Sequence, residues 1–489
     1  MTSIPLALTF DDVLLVPQYS EILPSEVHLK TKFTKNITLS IPLISAAMDT
    51  VTEEKMAITM ALHGGIGVIH KNCSPDRQAE MVRIVKRFEN GFVREPIVLS
   101  PKIKIEEVIR IRNEFGFKSI PITEDGTLKT KVVGIITRND YFQKHAHLLI
   151  RERMTPIKNL FIAHAPLSLE KANDLLEESK HSKLIVLNKN GTLNALVTRK
   201  DIEKNEQYPA ACKDEHKRLR VAAAVGPAQN RDERIAKLVS AQVDVLVVDT
   251  AHGHSKGVLD CVKYIKKNYP KMDVIAGNIA TADAAESLIK VGVDGIKVGI
   301  GPGSICTTRI IAGVGVPQLF AVLAVAEACK KNKIPFIADG GIRYSGDIAK
   351  VLAAGASSVM IGSLLAGTEE APGELMYAEG KTYKYYRGMG SVAAMKKGGS
   401  ERYGQSHVAE EKFVPEGIEG KILFKGPATG EIFQLCGGLK SSMGYNGAKT
   451  IEDFQKKAKF VQITASGIRE SHPHDISIFR EAPNYRTGY

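Results

Sequence analysis

The sequence predicts a (β/α)₈ TIM barrel of the α/β class, interrupted by a duplicated insert, and three observations indicate this fold. Eight short apolar segments each run into a polar or glycine-rich loop. They are continuously apolar, as strands buried on both faces should be, and their alternation with helical patterns implies parallel pairing. No GxGxxG motif follows the first strand, which disfavours an open doubly wound sheet. Between residues 95 and 207 the pattern changes and an internal repeat appears.

The barrel strands are predicted in chain order from these apolar segments. They span residues 41–50, 64–72, 220–227, 243–254, 273–281, 292–303, 334–341 and 356–363. Helices at 281–291 and 345–355 begin with a threonine or serine cap and carry an acidic residue in the first turn. In such barrels the loops that follow the carboxyl ends of the strands form the active site. Candidate functional residues are therefore sought in those loops.

The insert divides the predicted barrel into residues 1–94 and 208–489. Within 95–207, the segments VVGIITRND (132–140) and LNALVTRKD (193–201) echo each other, which indicates a duplicated unit with repeats of about 95–150 and 151–207. Gly134 of the first copy corresponds to Ala195 of the second. The pair resembles tandem cystathionine-β-synthase-type (CBS) domains, which often bind adenine or guanine nucleotides. The alternative is a duplicated dimerisation or spacer domain that binds no ligand.

The composition is typical of a soluble, cytoplasmic protein. No apolar run approaches the roughly 20 residues that span a bilayer, and the N-terminus has no basic leader. The six cysteines form no CxxC pair, which argues against structural zinc and a disulfide framework. The net charge of +12 comes from lysines and arginines that are interleaved with acids, so phosphorylated small molecules fit better than nucleic acid.

The segment GIGPGSICTTR (299–309) contains the candidate nucleophile, Cys306. Its glycines let the backbone bend sharply and approach a ligand. The thiol follows a barrel strand, where such enzymes place their active sites, and a thiolate is a strong nucleophile. We therefore expect Cys306 to be catalytic.

Two further loops, 338–347 and 361–368, follow the last two strands, where TIM barrels commonly bind phosphate. A carboxylate at Asp339 suits a sugar diol, since it accepts two hydroxyl hydrogen bonds. Together the loops predict a nucleoside monophosphate site, although helix caps and tight turns would explain the same glycines.

Asp249, at the end of another strand, is a candidate ligand for a second ribose. His252 and His254 have a spacing found in metal sites but lack obvious partners, so we interpret them as loop residues. The long stretch at about 375–430 lies outside the barrel pattern, and its length is typical of a lid or a binding element.

The motifs GIGPGSICTTR, ADGGIRYSGD and YRGMGS, together with the insert, resemble the inosine-monophosphate (IMP) dehydrogenase family over nearly the whole chain. The resemblance implies NAD-dependent oxidation of IMP to xanthosine monophosphate (XMP), the committed step of guanine nucleotide synthesis. It assigns Cys306 as the nucleophile that adds to C2 of the purine, which gives a covalent thioimidate that water then hydrolyses.

The resemblance also implies the other site residues. Arg402 and Tyr403 match a dyad on a mobile flap (about 387–415), and Arg402 would activate water, which is unusual because the pKa of arginine lies above about 12. Thr308 would position that water, and Glu416 would contact the purine and relay a proton. The implied IMP ligands are Ser304, Asp339, Gly340, Gly341, Gly362, Ser363, Tyr386, Arg387, Gly388, Met389, Gly390 and Glu416. The implied NAD ligands are Asp249, Gly299, Ile300 and Gly301.

A monovalent cation, usually K⁺, is implied at the carbonyls of Gly301, Gly303 and Cys306. Glu470, Ser471 and His472 of a neighbouring subunit would complete its coordination. The resemblance therefore implies a homotetramer, or an octamer, and the insert is expected to take ATP or GTP if it binds a nucleotide.

Three alternatives remain at this stage. GMP reductase shares the barrel and the cysteine loop, but it usually lacks the insert and the Arg-Tyr flap. A flavin-dependent barrel enzyme could use the same phosphate corner for FMN. A regulatory or nucleic-acid-binding protein with an inactive barrel would have no need of the cysteine loop, Asp339 or Arg402.

Overall fold

The computed structural model describes residues 4–88, 92–93, 96–115, 119–199, 207–227, 230–405 and 407–485. The chain forms two compact units. One comprises Met1–Lys86, Ala210–Cys212 and Leu219–Tyr489, and the other comprises Arg87–Pro209 and Lys213–Arg218. The predicted insert, 95–207, lies within the second unit.

Eight parallel strands close into a barrel in the first unit, which confirms the predicted fold class. We label them in chain order as β1 (Leu43–Ser45), β2 (Ile66–Ile69), β3 (Ala222–Val225), β4 (Val245–Asp249), β5 (Asp273–Ile279), β6 (Gly295–Val298), β7 (Phe336–Asp339) and β8 (Ser358–Ile361). Each pairs in parallel with its neighbours, and β8 pairs with β1 to complete the ring. All eight segments predicted as barrel strands therefore contain one.

Helices surround the barrel. The serine cap predicted at Ser345 was wrong, because Ser345 is the first residue of the helix Ser345–Ala353 and Tyr344 stands at its N-cap without a side-chain capping bond. The threonine cap predicted at Thr281 is confirmed. Thr281 accepts a hydrogen bond from the backbone of Ala284 at the start of Ala282–Lys290, as its side-chain oxygen should at an N-cap. The other α-helices of this unit are Glu54–Leu62, Pro75–Arg87 (whose last residue belongs to the second unit), Arg231–Ser240, Lys256–Asn268, Thr308–Ile311, Gln318–Lys331, Ser345–Ala353, Ser363–Ala366, Val392–Lys396, Ala428–Tyr445, Ile451–Lys457 and Ala465–Ser471. Short 3₁₀ helices lie at Phe10–Asp12, Pro24–Glu26, Gly399–Tyr403 and Glu410–Lys412.

The last βα unit departs from the regular pattern. Strand β8 is followed only by the four-residue helix Ser363–Ala366, while the long helix Ala428–Tyr445 packs against Ser345–Ala353. The intervening chain forms an antiparallel sheet of Leu375–Ala378, Lys381–Arg387 and Glu419–Leu423. This excursion is the long segment that the sequence predicts as a lid or binding element.

Two small antiparallel pairs lie at the periphery of the barrel. Val13–Leu15 pairs with Phe460–Gln462, and Thr31–Lys32 pairs with Thr38–Leu39. Phe33, Ile37 and Leu39 are buried in the same apolar cluster as the barrel-strand residues Ile44 and Val247. The second pair therefore helps to fill the barrel core.

The second unit contains the same hairpin twice. Ser119–Thr123 pairs with Val132–Thr137, and Lys183–Leu187 pairs with Leu193–Thr198, with the same pattern of buried positions in both copies. The remaining elements are the strands Phe92–Val93, Thr155–Pro156 and Ile162–His164, the helices Ile105–Phe115 and Leu169–Ser179, and the 3₁₀ helices Arg138–Asp140, Gln143–His145, Ile150–Glu152 and Ile157–Asn159. The assignment of this unit as a nucleotide-binding CBS pair remains a prediction.

The difference between Gly134 and Ala195 has a local packing cause. A β-carbon at Gly134 would lie 2.5 Å from the carbonyl oxygen of Thr155, because the short strand Thr155–Pro156 pairs beside it. The second copy has a different neighbour, Phe92–Val93, and Ala195 is fully buried there. The glycine is therefore required by strand packing.

Candidate active site

The carboxyl ends of the barrel strands surround one cleft with a cavity volume of about 140 Å³. Residues from the cysteine loop, from β4, β6 and β7, and from the excursion after β8 all line it. Of the predicted site residues, those that line this cleft are Asp249, Gly299, Ile300, Gly301, Gly303, Cys306, Thr308, Asp339, Gly340, Tyr386, Gly388, Met389, Arg402, Tyr403 and Glu416. Positions far apart in sequence therefore meet in the place that the barrel topology favours for chemistry.

The cysteine loop is held by backbone hydrogen bonds to the excursion. Thr307 N donates to the carbonyl of Glu416, and Ile418 N donates to the carbonyl of Ile305. The Cys306 thiol donates to Thr308 Oγ1 at 3.2 Å, so the candidate nucleophile and the candidate water-positioning hydroxyl are adjacent. The nucleophile is thus presented on a braced loop inside the cleft.

Paired glycines let the cysteine loop approach β7 closely. Gly340 and Gly341 have φ values of +93° and +79°, a region that other residues rarely adopt. A β-carbon at Gly340 would lie 3.0 Å from Pro302 Cγ, and one at Gly341 would lie 3.3 Å from Pro302 Cβ. These two glycines therefore permit the packing that places Asp339 beside the cysteine loop, whatever ligand they also contact.

The predicted phosphate corner gathers around a buried tyrosine hydroxyl. Tyr386 is 6% exposed, and a β-carbon at Gly362 would lie 3.1 Å from its hydroxyl oxygen. The Tyr386 hydroxyl contacts Met48 Sδ at 3.9 Å, and burial raises the pKa of the tyrosine. The hydroxyl therefore stays protonated and can donate to an anion near Gly362 and Ser363.

Lys297 is a site residue that we did not identify from the sequence. It lies in the buried strand β6 and is 1% exposed, and its Nζ is 2.8 Å from Asp249 Oδ1 and 2.6 Å from Asp339 Oδ2. Asn278 completes the cluster by accepting from Lys297 and donating to Asp339 at 3.0 Å. One ammonium therefore joins the two carboxylates that are predicted to bind two different riboses.

We expect Lys297→Met to lower the free energy of unfolding by about 3–5 kcal/mol, because it removes the buried cation that pairs with both Asp249 and Asp339. Urea denaturation followed by circular dichroism measures this. Lys237→Met is the matched control, since the ion pairs of Lys237 with Asp76 and Glu233 lie at the surface and should contribute roughly 1 kcal/mol or less. Equal effects of the two substitutions would contradict the prediction.

The flap residues enter the cleft from the 3₁₀ helix Gly399–Tyr403. Arg402 Nη1 forms an ion pair with Asp249 Oδ2, and the backbone of Ala251 donates to the carbonyl of Arg402 at 3.3 Å. Tyr403 packs against the backbone of Gly390, with its ring where a β-carbon would otherwise lie. Arg402 of the flap therefore pairs with the Asp249 carboxylate, which the sequence predicts to bind NAD.

Arg387, predicted to contact IMP, makes a different contact in this structure. Its guanidinium forms a buried ion pair with Asp49, and the two side chains are 8% and 6% exposed. Asn72 donates to the same carboxylate at 2.5 Å, and the pKa of Asp49 is lowered because these hydrogen bonds and the Arg387 charge outweigh the effect of burial. Arg387 therefore anchors the start of the 387–390 segment, of which Gly388 and Met389 line the cleft.

The remaining predicted residues lie outside the cleft lining. These are Ser304, Gly341, Gly362, Ser363, Arg387, Gly390, Glu470, Ser471 and His472. The last three are exposed near the end of the chain, where His472 Nδ1 lies 2.8 Å from the hydroxyl of Tyr485. His252 and His254 lie in the loop after β4, where His254 is within 3.0 Å of Ser287 Oγ.

In and near the loop that is predicted to hold K⁺, backbone carbonyls accept hydrogen bonds from a neighbouring arginine and from the loop itself. The Arg309 guanidinium hydrogen-bonds to the carbonyls of Ile300 and Val316, and Cys306 N donates to the carbonyl of Gly303 at 3.1 Å. Carbonyl oxygens are suitable K⁺ ligands, so the donor set fits a monovalent cation. Within the described ranges no group of three or more His, Cys, Asp or Glu side chains is placed to hold a metal ion.

Comparison with known proteins identifies the family. Residues 7–474 match the model of the IMP dehydrogenase / GMP reductase domain. The chain belongs to the IMP dehydrogenase / GMP reductase family. It is therefore an enzyme, and the predicted family membership is confirmed.

Several relatives in this family match over almost their whole length. The chain is 54% identical to inosine-5'-monophosphate dehydrogenase of Aquifex aeolicus, covering 98% of this chain and 97% of that protein. It is 53% identical to the protein of the same name from Chlorobaculum parvum, covering 99% of each chain. The match therefore includes the second compact unit as well as the barrel.

A solved structure similar to this chain is named as a GMP reductase. A cysteine-to-alanine variant of GMP reductase from Trypanosoma brucei, in complex with guanosine 5'-monophosphate, has a TM-score of 0.89 and 41% identity, covering 97% of this chain and 99% of that one. Such coverage cannot leave out Arg87–Pro209. At least one GMP reductase therefore also spans the region of the insert, so the insert alone does not exclude a reductase.

No helix among the described residues has both the length and the apolarity to cross a bilayer.

Proposed function

We propose that this enzyme oxidises IMP to XMP with NAD, through a covalent intermediate on Cys306. The observation that supports this most directly is that Cys306, Asp339, Asp249 and Arg402 line one cleft. In this proposal Asp339 holds the ribose of IMP, and the Tyr386 hydroxyl with Gly362 and Ser363 holds its phosphate. This arrangement would place the purine beside the thiol.

The chemistry has two halves, which share the cleft. The Cys306 thiolate adds to C2 of the purine, and the C2 hydride leaves. NAD, when bound, supplies the acceptor for that hydride. Asp249 and the Gly299–Gly301 turn would hold the NAD. Water then attacks C2 of the thioimidate, the bond to sulfur breaks, and XMP leaves while the thiol is restored.

Arg402 is the residue that we propose to activate the water, with Tyr403, Thr308 and Glu416 around it. Burial lowers the pKa of the Arg402 guanidinium, which favours its neutral form, the form that can act as a base. Asp249 favours the charged form while it contacts Nη1, so the guanidinium must turn from Asp249 towards water before it can act as a base. Because Arg402 occupies the proposed cofactor carboxylate, the reduced cofactor must leave before the flap docks.

The direct test is NADH formation from IMP, followed by absorbance, with GMP and NADPH as the competing pair. We expect NADH from IMP and no oxidation of NADPH by GMP. The opposite result would assign the reductase activity that the Trypanosoma brucei structure represents. The proposed tetramer or octamer is tested by light scattering of the same sample.

Potassium should raise the rate of NADH formation severalfold over sodium, because the carbonyls of Gly301, Gly303 and Cys306 would brace the cysteine loop around the larger ion. We propose Glu470, Ser471 and His472 of a neighbouring subunit as the remaining ligands. Titration with each chloride salt at constant ionic strength measures the effect. Equal rates in both salts would rule out a specific potassium site.

The insert is proposed to bind ATP or GTP, from its duplicated hairpins and their resemblance to CBS domains. Calorimetric titration of either nucleotide tests this, with the rate of NADH formation as the second readout. Absence of binding would favour the spacer interpretation.

A further inference from the structure

A mostly buried ion pair joins the flap to the barrel at a position to which the proposed mechanism gives no role. Lys71 Nζ lies 2.9 Å from Glu401 Oε2, and the two side chains are 8% and 20% exposed. Lys71 follows strand β2 after one residue, while Glu401 immediately precedes Arg402 on the flap. The contact therefore fixes the flap residue next to the candidate base.

The barrel leaves space for this pair by means of a glycine. A β-carbon at Gly226, which follows β3, would overlap the Glu401 carboxylate and come within 2.5 Å of Lys71 Nζ. On the next strand, Ala251 N and Asp249 hold the backbone and side chain of Arg402. The ends of β2, β3 and β4 thus form a continuous docking surface for Glu401 and Arg402.

The buried, positively charged surroundings of Lys71 make Glu401 important for stabilising its ammonium charge. Burial lowers the pKa of the Lys71 ammonium, and Arg402 and Arg234 lower it further, while Glu401 is the carboxylate that opposes them. Removing one partner of a mostly buried ion pair leaves the other charge poorly compensated. Withdrawal of the flap therefore has an electrostatic cost at Lys71.

We propose that Lys71 is a positioning residue that holds the flap in its docked state through Glu401. Flap docking and cofactor binding compete for Asp249. The Lys71–Glu401 contact, which we call the latch, would therefore set how the enzyme divides its time between hydride transfer and hydrolysis. The kinetic consequence rests on the proposed function, whereas the docking itself does not.

We expect three linked effects of the substitution Lys71→Gln. The ratio of docked to undocked flap should fall roughly fivefold or more, which corresponds to a loss of about 1 kcal/mol or more. Hydrolysis of the covalent intermediate should slow by up to a similar factor, while the hydride step measured in a single turnover stays within about twofold. NAD should bind at least as tightly as to the unmodified enzyme, because the flap competes less.

Limited trypsin digestion of the full-length enzyme measures docking without any assay of activity. Cleavage after Arg402, whose side chain is 14% exposed in the docked flap, should accelerate in Lys71→Gln and in Glu401→Gln, and the double variant should add little, as expected for two residues that act through one contact. Glu410→Gln is the matched control, since this flap carboxylate pairs with the exposed Lys396 of the flap itself. Its digestion rate should not change.

Two results would overturn the latch. One is an unchanged digestion rate in Glu401→Gln, a flap substitution that is informative even if Lys71→Gln does not fold. The other is weaker NAD binding in Lys71→Gln, which would make Lys71 a cofactor ligand. Faster digestion in an enzyme that makes no NADH from IMP would instead refute the proposed function and leave the latch standing.

Discussion

Cys306→Ala should lower turnover by at least roughly a thousandfold while IMP still binds. Without the sulfur nucleophile there is no covalent intermediate, and loss of a nucleophile removes most of the rate enhancement in enzymes of this kind. The backbone bonds that hold the loop, such as Thr307 N to the carbonyl of Glu416, do not involve the thiol. The loop should therefore keep its shape, and the affinity for IMP, measured by calorimetry, should change little.

The matched control is Cys436→Ala, which removes a partly buried thiol from helix Ala428–Tyr445, outside the cleft lining. It should retain turnover. Rapid acid quench of the unmodified enzyme during turnover should show a nucleotide attached to the peptide that contains Cys306. Substantial activity of Cys306→Ala, or a quenched enzyme that never carries a nucleotide, would remove the covalent mechanism.

Arg402→Ala should slow hydrolysis by roughly 10²–10⁴-fold, the usual effect of removing a general base. The hydride step should slow by less than about tenfold, because Arg402 is expected to have left the cleft when the cofactor is bound. Stopped-flow absorbance should therefore show a fast burst of NADH, about one per active site, followed by slow turnover.

Lys396→Ala is the control for that variant, because it removes a flap cation whose ion pair lies at the surface with Glu410. Its burst and its steady state should resemble those of the unmodified enzyme. Equal slowing of both steps in Arg402→Ala would refute the role of Arg402 in hydrolysis. The same experiment on Glu401→Gln should give a weaker form of the burst, since that change loosens the flap and leaves the base in place.

Much of the scaffold could be predicted because its signals are local. A strand buried on both faces must be mostly apolar, so each of the eight barrel strands is visible as a short, largely apolar segment. The cysteine loop and the glycines after β7 are equally local, because their conformations depend on residue types at consecutive positions. The duplicated hairpin is visible for a similar reason, since both copies repeat one pattern of buried positions.

Some of the site could have been found by closer attention to the same signals. A lysine within the apolar strand GIKV cannot reach water, so Lys297 must meet a buried acid. The pattern indicates that such an acid exists, but not which one. Closure of the barrel decides that it meets both Asp249 and Asp339, on two other strands.

The sequence by itself therefore determined the barrel, its interruption and the chemical groups available at the ends of the strands. Only the tertiary structure decided which charges pair: Arg402 with Asp249, Lys71 with Glu401, and Arg387 with Asp49. The physical reason is one of range. Backbone conformation and burial are set by neighbours along the chain, whereas an ion pair between residues hundreds of positions apart depends on where the whole fold brings each side chain.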